Sequence, residues 1–178
     1  MEDMQVINGE LCPFCGSKTL TLVEEQREIP YFGQVFLFSM SCSTCKYHKA
    51  DIESAEKRDP VKITFPIESE DDLTVRVVKS ASATVKFPRI ITMESTEMSN
   101  GYVTNIEGLL KRVQKILEST RDTSDDANEQ KQAKNHLKKI QKILWGHDKI
   151  TITIEDPTGV SAIISDKTQT TKLKSSKK

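Results

Sequence analysis

The chain has 178 residues, with 26 Lys or Arg against 26 Asp or Glu, so its formal net charge is zero. Hydrophobic residues make up 36%, charged residues 29%, and the mean hydropathy is −0.47. These values fit one domain, or one domain with a small satellite, that folds without disulfide staples. They give no whole-molecule field toward nucleic acid or an anionic membrane.

No apolar run approaches the roughly 20 residues of a spanning helix. The acidic start, MEDMQVINGE, has no apolar core of a signal peptide. A cytoplasmic protein without membrane contact is the expectation.

The sharpest signal is Cys12, Cys15, Cys42 and Cys45, which form two C-x-x-C pairs, CPFCG and CSTCK. Zn²⁺ takes four thiolates in a tetrahedron, and a C-x-x-C turn presents two thiolates on one side of a tight loop. Gly16 suits the bend of the first knuckle. The alternatives fit less well. A redox dithiol needs one low-pKa pair at a helix start, and a disulfide framework belongs to oxidising compartments. The expectation is one structural Zn²⁺ with no open coordination position, and His48 is a surface residue.

Between the knuckles, Leu20 to Glu24 and Gln34 to Ser41 read as strands of a hairpin joined by the loop Glu28–Gly33. Residues 1–52 then form a zinc ribbon, and residues 53–60 a charged linker. From residue 61 apolar and polar residues alternate. Val61, Ile63 and Phe65 mark one strand, and Leu73, Val75 and Val77 another. Thr84 to Phe87, Arg89 to Met93, Ile150 to Ile154 and Val160 to Ser165 follow, which suggests a sandwich or barrel over 61–166.

A helical stretch at about 104–146 interrupts the strands. Thr104-Asn105-Ile106-Glu107 reads as a capping box, and Ile106, Leu109, Leu110, Val113 and Leu117 repeat at helical spacing. After a polar break, Ser119 to Asp126, a second helix begins at Ser124 or Asp125. It carries Ala133, Leu137, Ile140 and Leu144 and stops at Gly146. The pair reads as an antiparallel hairpin whose outer Lys131, Lys134, Lys138, Lys139 and Lys142 are a solvated face. Residues 167–178, with five lysines and no acid in their last dozen positions, read as a disordered basic tail.

No nucleotide-binding glycine loop or nucleophile elbow is present. His48, His136 and His147 do not assemble a metalloenzyme site, and no catalytic residue is assigned. Beside the second knuckle, Lys46-Tyr47-His48-Lys49 offers cations and an aromatic. Both nucleic-acid binding, with stacking on Tyr47, and protein binding stay open on the residues alone.

The residues that decide between them are CPFCG, IPYFGQVFLFSMSCSTC, DLTVRVVKSASAT, SNGYVTNIEGLL and EDPTG, in that order. Over about residues 10–165 the sequence resembles the ZPR-type zinc-finger family, and most closely its short archaeal single-module members. The resemblance implies a mainly β fold: a four-Cys zinc ribbon followed by a jelly-roll-like, double-stranded β-helix domain with an inserted α-hairpin. It also implies a role as binding partner or folding helper of translation elongation factor one-alpha, the GTPase that delivers aminoacyl-tRNA. A nucleic-acid-binding ribbon linked to transcription or the ribosome is the rival. Eukaryotic relatives carry two ribbon-plus-β modules, and this sequence holds one.

Candidate partner contacts are Pro30, Tyr31 and Phe32 at the hairpin tip, Tyr47 beside the knuckle, and Arg76, Lys79, Ser80 and Ser82 in the stretch RVVKSxSAT. The alternative for the tip is packing of the ribbon onto the β domain, and for the stretch an outward strand face. Lys46 departs from the family pattern, where Gly follows the second knuckle. A positive φ there would cost about 1 kcal/mol.

Overall fold

A computed structural model describes residues 4–29, 33–54 and 58–173. The N-terminal unit is one antiparallel sheet in the order β1-β2-β3-β4, made of Met4–Glu10, Leu20–Ile29, Gly33–Cys42 and His48–Ser54. The register sets Ile7, Leu22, Met40 and Lys49 side by side on one face. Met4, Glu25, Leu37 and Ile52 share the other face. Both central strands run further than the sequence signal, because Glu25 to Glu28 continue the pairing with Gln34 to Leu37. The edge strand β1 is a departure from expectation. Its seven residues are all exposed, so it carries no alternating burial to announce it.

The second unit holds a five-stranded sheet, β12-β5-β10-β7-β8, and a three-stranded sheet, β11-β6-β9. In chain order the strands are β5 Val61–Ile67, β6 Arg76–Lys79, β7 Thr84–Phe87, β8 Ile91–Met93, β9 Tyr102–Asn105, β10 Ile150–Asp156, β11 Ala162–Ile164 and β12 Gln169–Lys172. Ile63, Phe65 and Ile67 of β5, Ile152 and Ile154 of β10, and Val85 and Phe87 of β7 point inward from the larger sheet. Val77 and Ile163 meet them from the smaller one. Helix α1, Ile106–Thr123, closes this core with Ile106, Leu109, Leu110, Val113 and Leu117; α2, Ala127–Leu144, adds Ile140 and Ile143.

Four local expectations are corrected. Leu73, Val75 and Val77 do not form one strand. Glu70–Thr74 is a 3-10 turn in which Asp72 accepts from the backbone N–H groups of Glu68 and Ser69, and only then does β6 begin. Thr104 belongs to β9, and the cap of α1 is Asn105, whose side chain accepts from the Gly108 N–H at 2.8 Å. Helix α1 runs through the expected polar break to Thr123, so α2 starts one residue after its cap, Asp126. The basic tail is not disordered throughout: Gln169–Lys172 pairs with Val61–Thr64 at the sheet edge. Thr170 and Thr171 favour the extended backbone of this exposed edge strand, and Lys172 reaches Asp59 at 3.0 Å.

The two units are joined by a second buried cluster. Ile29, Val35 and Ile52 of the ribbon sheet pack with Val78 and Val160 of the larger unit. Polar bonds fix the same joint. Asp51 accepts from the Ala81 N–H at 2.9 Å, and the Gly101 N–H donates to the Ala50 carbonyl at 2.9 Å. A Cβ on Gly101 would stand 2.7 Å from the Asp51 carboxylate, so only glycine lets the loop approach this closely. Behind the joint, buried Asp156 accepts from the Thr158 N–H, the Thr158 hydroxyl and the Ser161 N–H, and the Ser161 hydroxyl accepts from the Ser80 N–H.

Burial opposes ionisation of Asp156, but the Ser161 and Thr158 bonds outweigh it, and its pKa lies below the usual carboxylate value. Its stabilisation is therefore full above the unfolded pKa and is lost as pH falls through the lower, folded one. Asp156→Asn turns a donor toward donors and should cost roughly 2 kcal/mol at pH 7. Urea unfolding at pH 7 and at successively lower pH below 4 should show the gap between wild type and variant narrowing.

Candidate metal centre

Each knuckle is a tight turn closed by its own backbone. The Gly16 N–H donates to the Cys12 carbonyl at 2.9 Å, and the Lys46 N–H donates to the Cys42 carbonyl at 3.1 Å. The two turns are near-copies, and the residues after their second cysteines, Gly16 and Lys46, have φ of 70° and 62°. Lys46 thus holds a left-handed backbone that glycine occupies without steric cost.

The β2–β3 hairpin brings the knuckles together, since Leu20 pairs with Cys42 in register. Cys12 Sγ lies 3.7 Å from Cys45 Sγ, and Cys15 Sγ lies 3.8 Å from Cys42 Sγ. All four sulfurs fall within 4.8 Å of one another. Four sulfurs held about 2.3 Å from a zinc ion form a tetrahedron with edges of about 3.8 Å. The donor set fits that ion, with Cys12 and Cys42 buried, Cys45 half-buried and Cys15 exposed.

The surroundings are arranged for anionic sulfur. The Cys45 backbone N–H and the Thr19 hydroxyl, 3.4 Å away, draw the Cys42 thiol down to about 5. Cys15 is also lowered, by Ser17, whose hydroxyl is 3.0 Å from its sulfur. The Tyr47 N–H draws Cys45 down as well, but burial and the three neighbouring sulfurs outweigh it and push this thiol up to about 12. Four packed sulfurs cannot all ionise without a cation among them, and a divalent ion supplies the missing charge. His48 takes no part: its Nδ1 is hydrogen-bonded to the Ser41 hydroxyl at 2.9 Å.

The core beneath the knuckles is small. Cys12, Leu20 and Cys42 are buried, with Leu22, Met40, Cys45 and Tyr47 packed against them. Above it, Phe14 is 73% exposed and Leu11 60%. The Phe14 ring stacks on Tyr47 with centroids 6.0 Å apart and planes 8° from parallel. Ile7, Leu22, Phe38 and Met40, with Gln5 and Glu24, line a groove of about 290 Å³ on the open face of the sheet.

The family model described as the ZPR1 zinc-finger domain matches residues 6–60, and that of the ZPR1 jelly-roll domain matches residues 71–177. The chain belongs to the ZPR1 family. An uncharacterised ZPR1-like protein of Methanocaldococcus jannaschii is 36% identical over 93% of this chain and 83% of its own length. One of Pyrococcus horikoshii is 35% identical over 97% and 79%. The zinc finger chaperone zpr1 of Schizosaccharomyces pombe is 34% identical over 86% of this chain, which spans only 34% of that protein. The ZPR1 zinc-finger match and the sulfur geometry agree on a zinc-binding ribbon, and the second unit is the ZPR1 jelly roll with its α-hairpin.

The other residues singled out in the sequence are dispersed. Pro30, Tyr31 and Phe32 lie outside the described residues. Tyr47 is half-buried under Phe14. Arg76 is exposed, Ser82 is half-buried, and Lys79 and Ser80 are buried at 5% and 2% exposure. Lys79 and Ser80 therefore lie on no open or outward face, because both faces around β6 are covered: neighbouring Val77 packs in the larger core and Val78 in the joint with the ribbon. Phe14 and Leu11 were missed, although an aromatic inside the first C-x-x-C was the signal available.

Cys12→Ser and Cys45→Ser should each reduce bound zinc far below one equivalent, checked by elemental analysis of the purified chain. Ribbon amides should lose hydrogen-exchange protection while those of Ile63, Phe65 and Ile152 keep theirs, because the larger core is separate. Lys46→Gly should relieve the left-handed strain and stabilise the ribbon by about 0.5–1 kcal/mol after its added unfolded-state entropy, read as slower zinc loss to a chelator.

Proposed function

We propose that this protein is a cytoplasmic protein-binding module, a partner or folding helper of the translation elongation factor one-alpha GTPase, and that it acts by binding rather than catalysis. The observation that carries this reading is the outer end of the ribbon. Phe14 and Leu11 stand exposed at a metal-braced knuckle, and Ile7, Leu22 and Met40 line an apolar groove on the same sheet. An exposed aromatic held rigid by stacking loses little side-chain entropy on binding, and apolar clusters of this kind mark protein interfaces.

The fission-yeast relative is named a zinc finger chaperone, which supports the same reading. Four cysteine ligands suit a reducing compartment. The three histidines are separate: His48 in β4, His136 in α2 and His147 beside Trp145.

Purified zinc-loaded protein should capture purified elongation factor one-alpha with an affinity that changes little between low and high salt. A double variant, Leu11→Ser with Phe14→Ser, alters two exposed side chains. It should keep its zinc and fold while binding falls at least about tenfold. Capture of RNA instead, with affinity dropping steeply as salt rises, would replace this reading with the nucleic-acid one.

A further inference from the structure

A second site lies on the jelly roll, away from the knuckles. Lys79 of β6 and Tyr102 of β9 are cross-strand partners, so their side chains share a face. Helix α1 lays Arg112, Lys115 and Ile116 along the same side, at the spacing that puts them on one helical face. With Met93 at the end of β8 and Glu94, Ser99 and Asn100 of the loop after it they line an open cavity of about 340 Å³, a size that holds a small ligand.

Its lining is rich in hydrogen-bond donors. Three cations and one carboxylate line it, and among the described residues none of the three cations forms an ion pair. The Arg112 guanidinium carbon sits 4.0 Å from the centroid of the Tyr102 ring. Stacking engages the face of a guanidinium and leaves its N–H edge to donate. The Lys79 ammonium is buried, lies 5.6 Å from the same centroid, and donates one bond, to the Ser80 carbonyl at 2.9 Å. Asn100 has its carbonyl oxygen engaged by the Ala50 N–H, so its NH₂ is the group left for a ligand. Burial lowers the Lys79 pKa despite the nearby Asp156 and Asp51 carboxylates, a cost that an added anion would relieve.

We propose that this cavity binds the phosphoryl group of a small phosphorylated molecule. A guanidinium fork, two ammonium groups and an amide supply more donors than one carboxylate accepts. A phosphate dianion offers three acceptor oxygens to the donors of Arg112, Lys115 and Asn100. The inference is independent of the protein partner proposed above, because its test uses the zinc-loaded chain alone.

Inorganic phosphate and pyrophosphate are the probes, titrated at low ionic strength by calorimetry and ³¹P NMR, with acetate as competitor. Saturable binding is expected, resistant to equimolar acetate. Arg112→Gln and Lys115→Gln change exposed side chains and should weaken it at least about tenfold with zinc content and circular dichroism unchanged. Glu94→Gln should tighten it, which a purely structural role for these residues would not produce. Tighter pyrophosphate than phosphate assigns the site to a diphosphate-bearing ligand, and equal binding to a monoester. No saturation, equal binding by the Arg112 variant, or displacement by acetate would overturn the proposal.

Discussion

Four sulfurs drawn from two distant turns carry the ribbon. The sheet above them has one face open to solvent, and the cluster at the knuckle end buries only Cys12, Leu20 and Cys42. So small a core cannot offset the chain entropy of ordering two ten-residue strands and their turns. A tetrahedral thiolate site offsets it, because the ion's binding free energy is available only to the folded arrangement. The same closure holds Phe14 and Leu11 out on a fixed turn, with the Phe14 ring stacked on Tyr47.

Rigidity at the knuckles would matter little if the ribbon swung freely. The joint with the jelly roll prevents that by mixing two kinds of bond. Ile29, Val35, Ile52, Val78 and Val160 supply non-directional burial. Asp51 to Ala81 and Gly101 to Ala50 fix the register, since a shift of one residue would leave these donors buried and unpaired. Asp156 and Ser161 hold the far side of the joint from within the jelly roll. The larger core, with β-strands on both sides and α1 across it, is a cluster separate from that at the cysteines.

The cavity beside Lys79 follows from the same construction. Lys79 shares a face of β6 with the core residue Val77, and the sequence puts a lysine where its ammonium reaches the rim between β9 and α1. Lysine is tolerated there because Tyr102 faces it, the Ser80 carbonyl accepts from it, and Asp51 and Asp156 stand near. The polar residues of the RVVKS stretch therefore serve the interior and the cavity more than an outer surface.

The sequence alone determined the four ligands, because chemistry and spacing suffice for a tetrahedral thiolate site. It also showed the long alternating strands β5 and β10 and the apolar stripes of α1 and α2, where periodicity is strong. It foresaw the strain at Lys46 from the family pattern, and the left-handed φ there is its physical form. Strand β1 and strand β12 were not legible, since both are exposed edge strands held by backbone pairing, and the partner of β12 lies over a hundred residues away in the chain. Nor could local pattern show that Leu73 belongs to a 3-10 turn, or that Asn105 rather than Thr104 caps α1, because side-chain and cross-strand bonds decide both. Only the tertiary structure set Lys79 opposite Tyr102 and under Arg112, and left Phe14 uncovered. Which side chains meet across β6, β9 and α1 depends on long-range register, and no local periodicity encodes that.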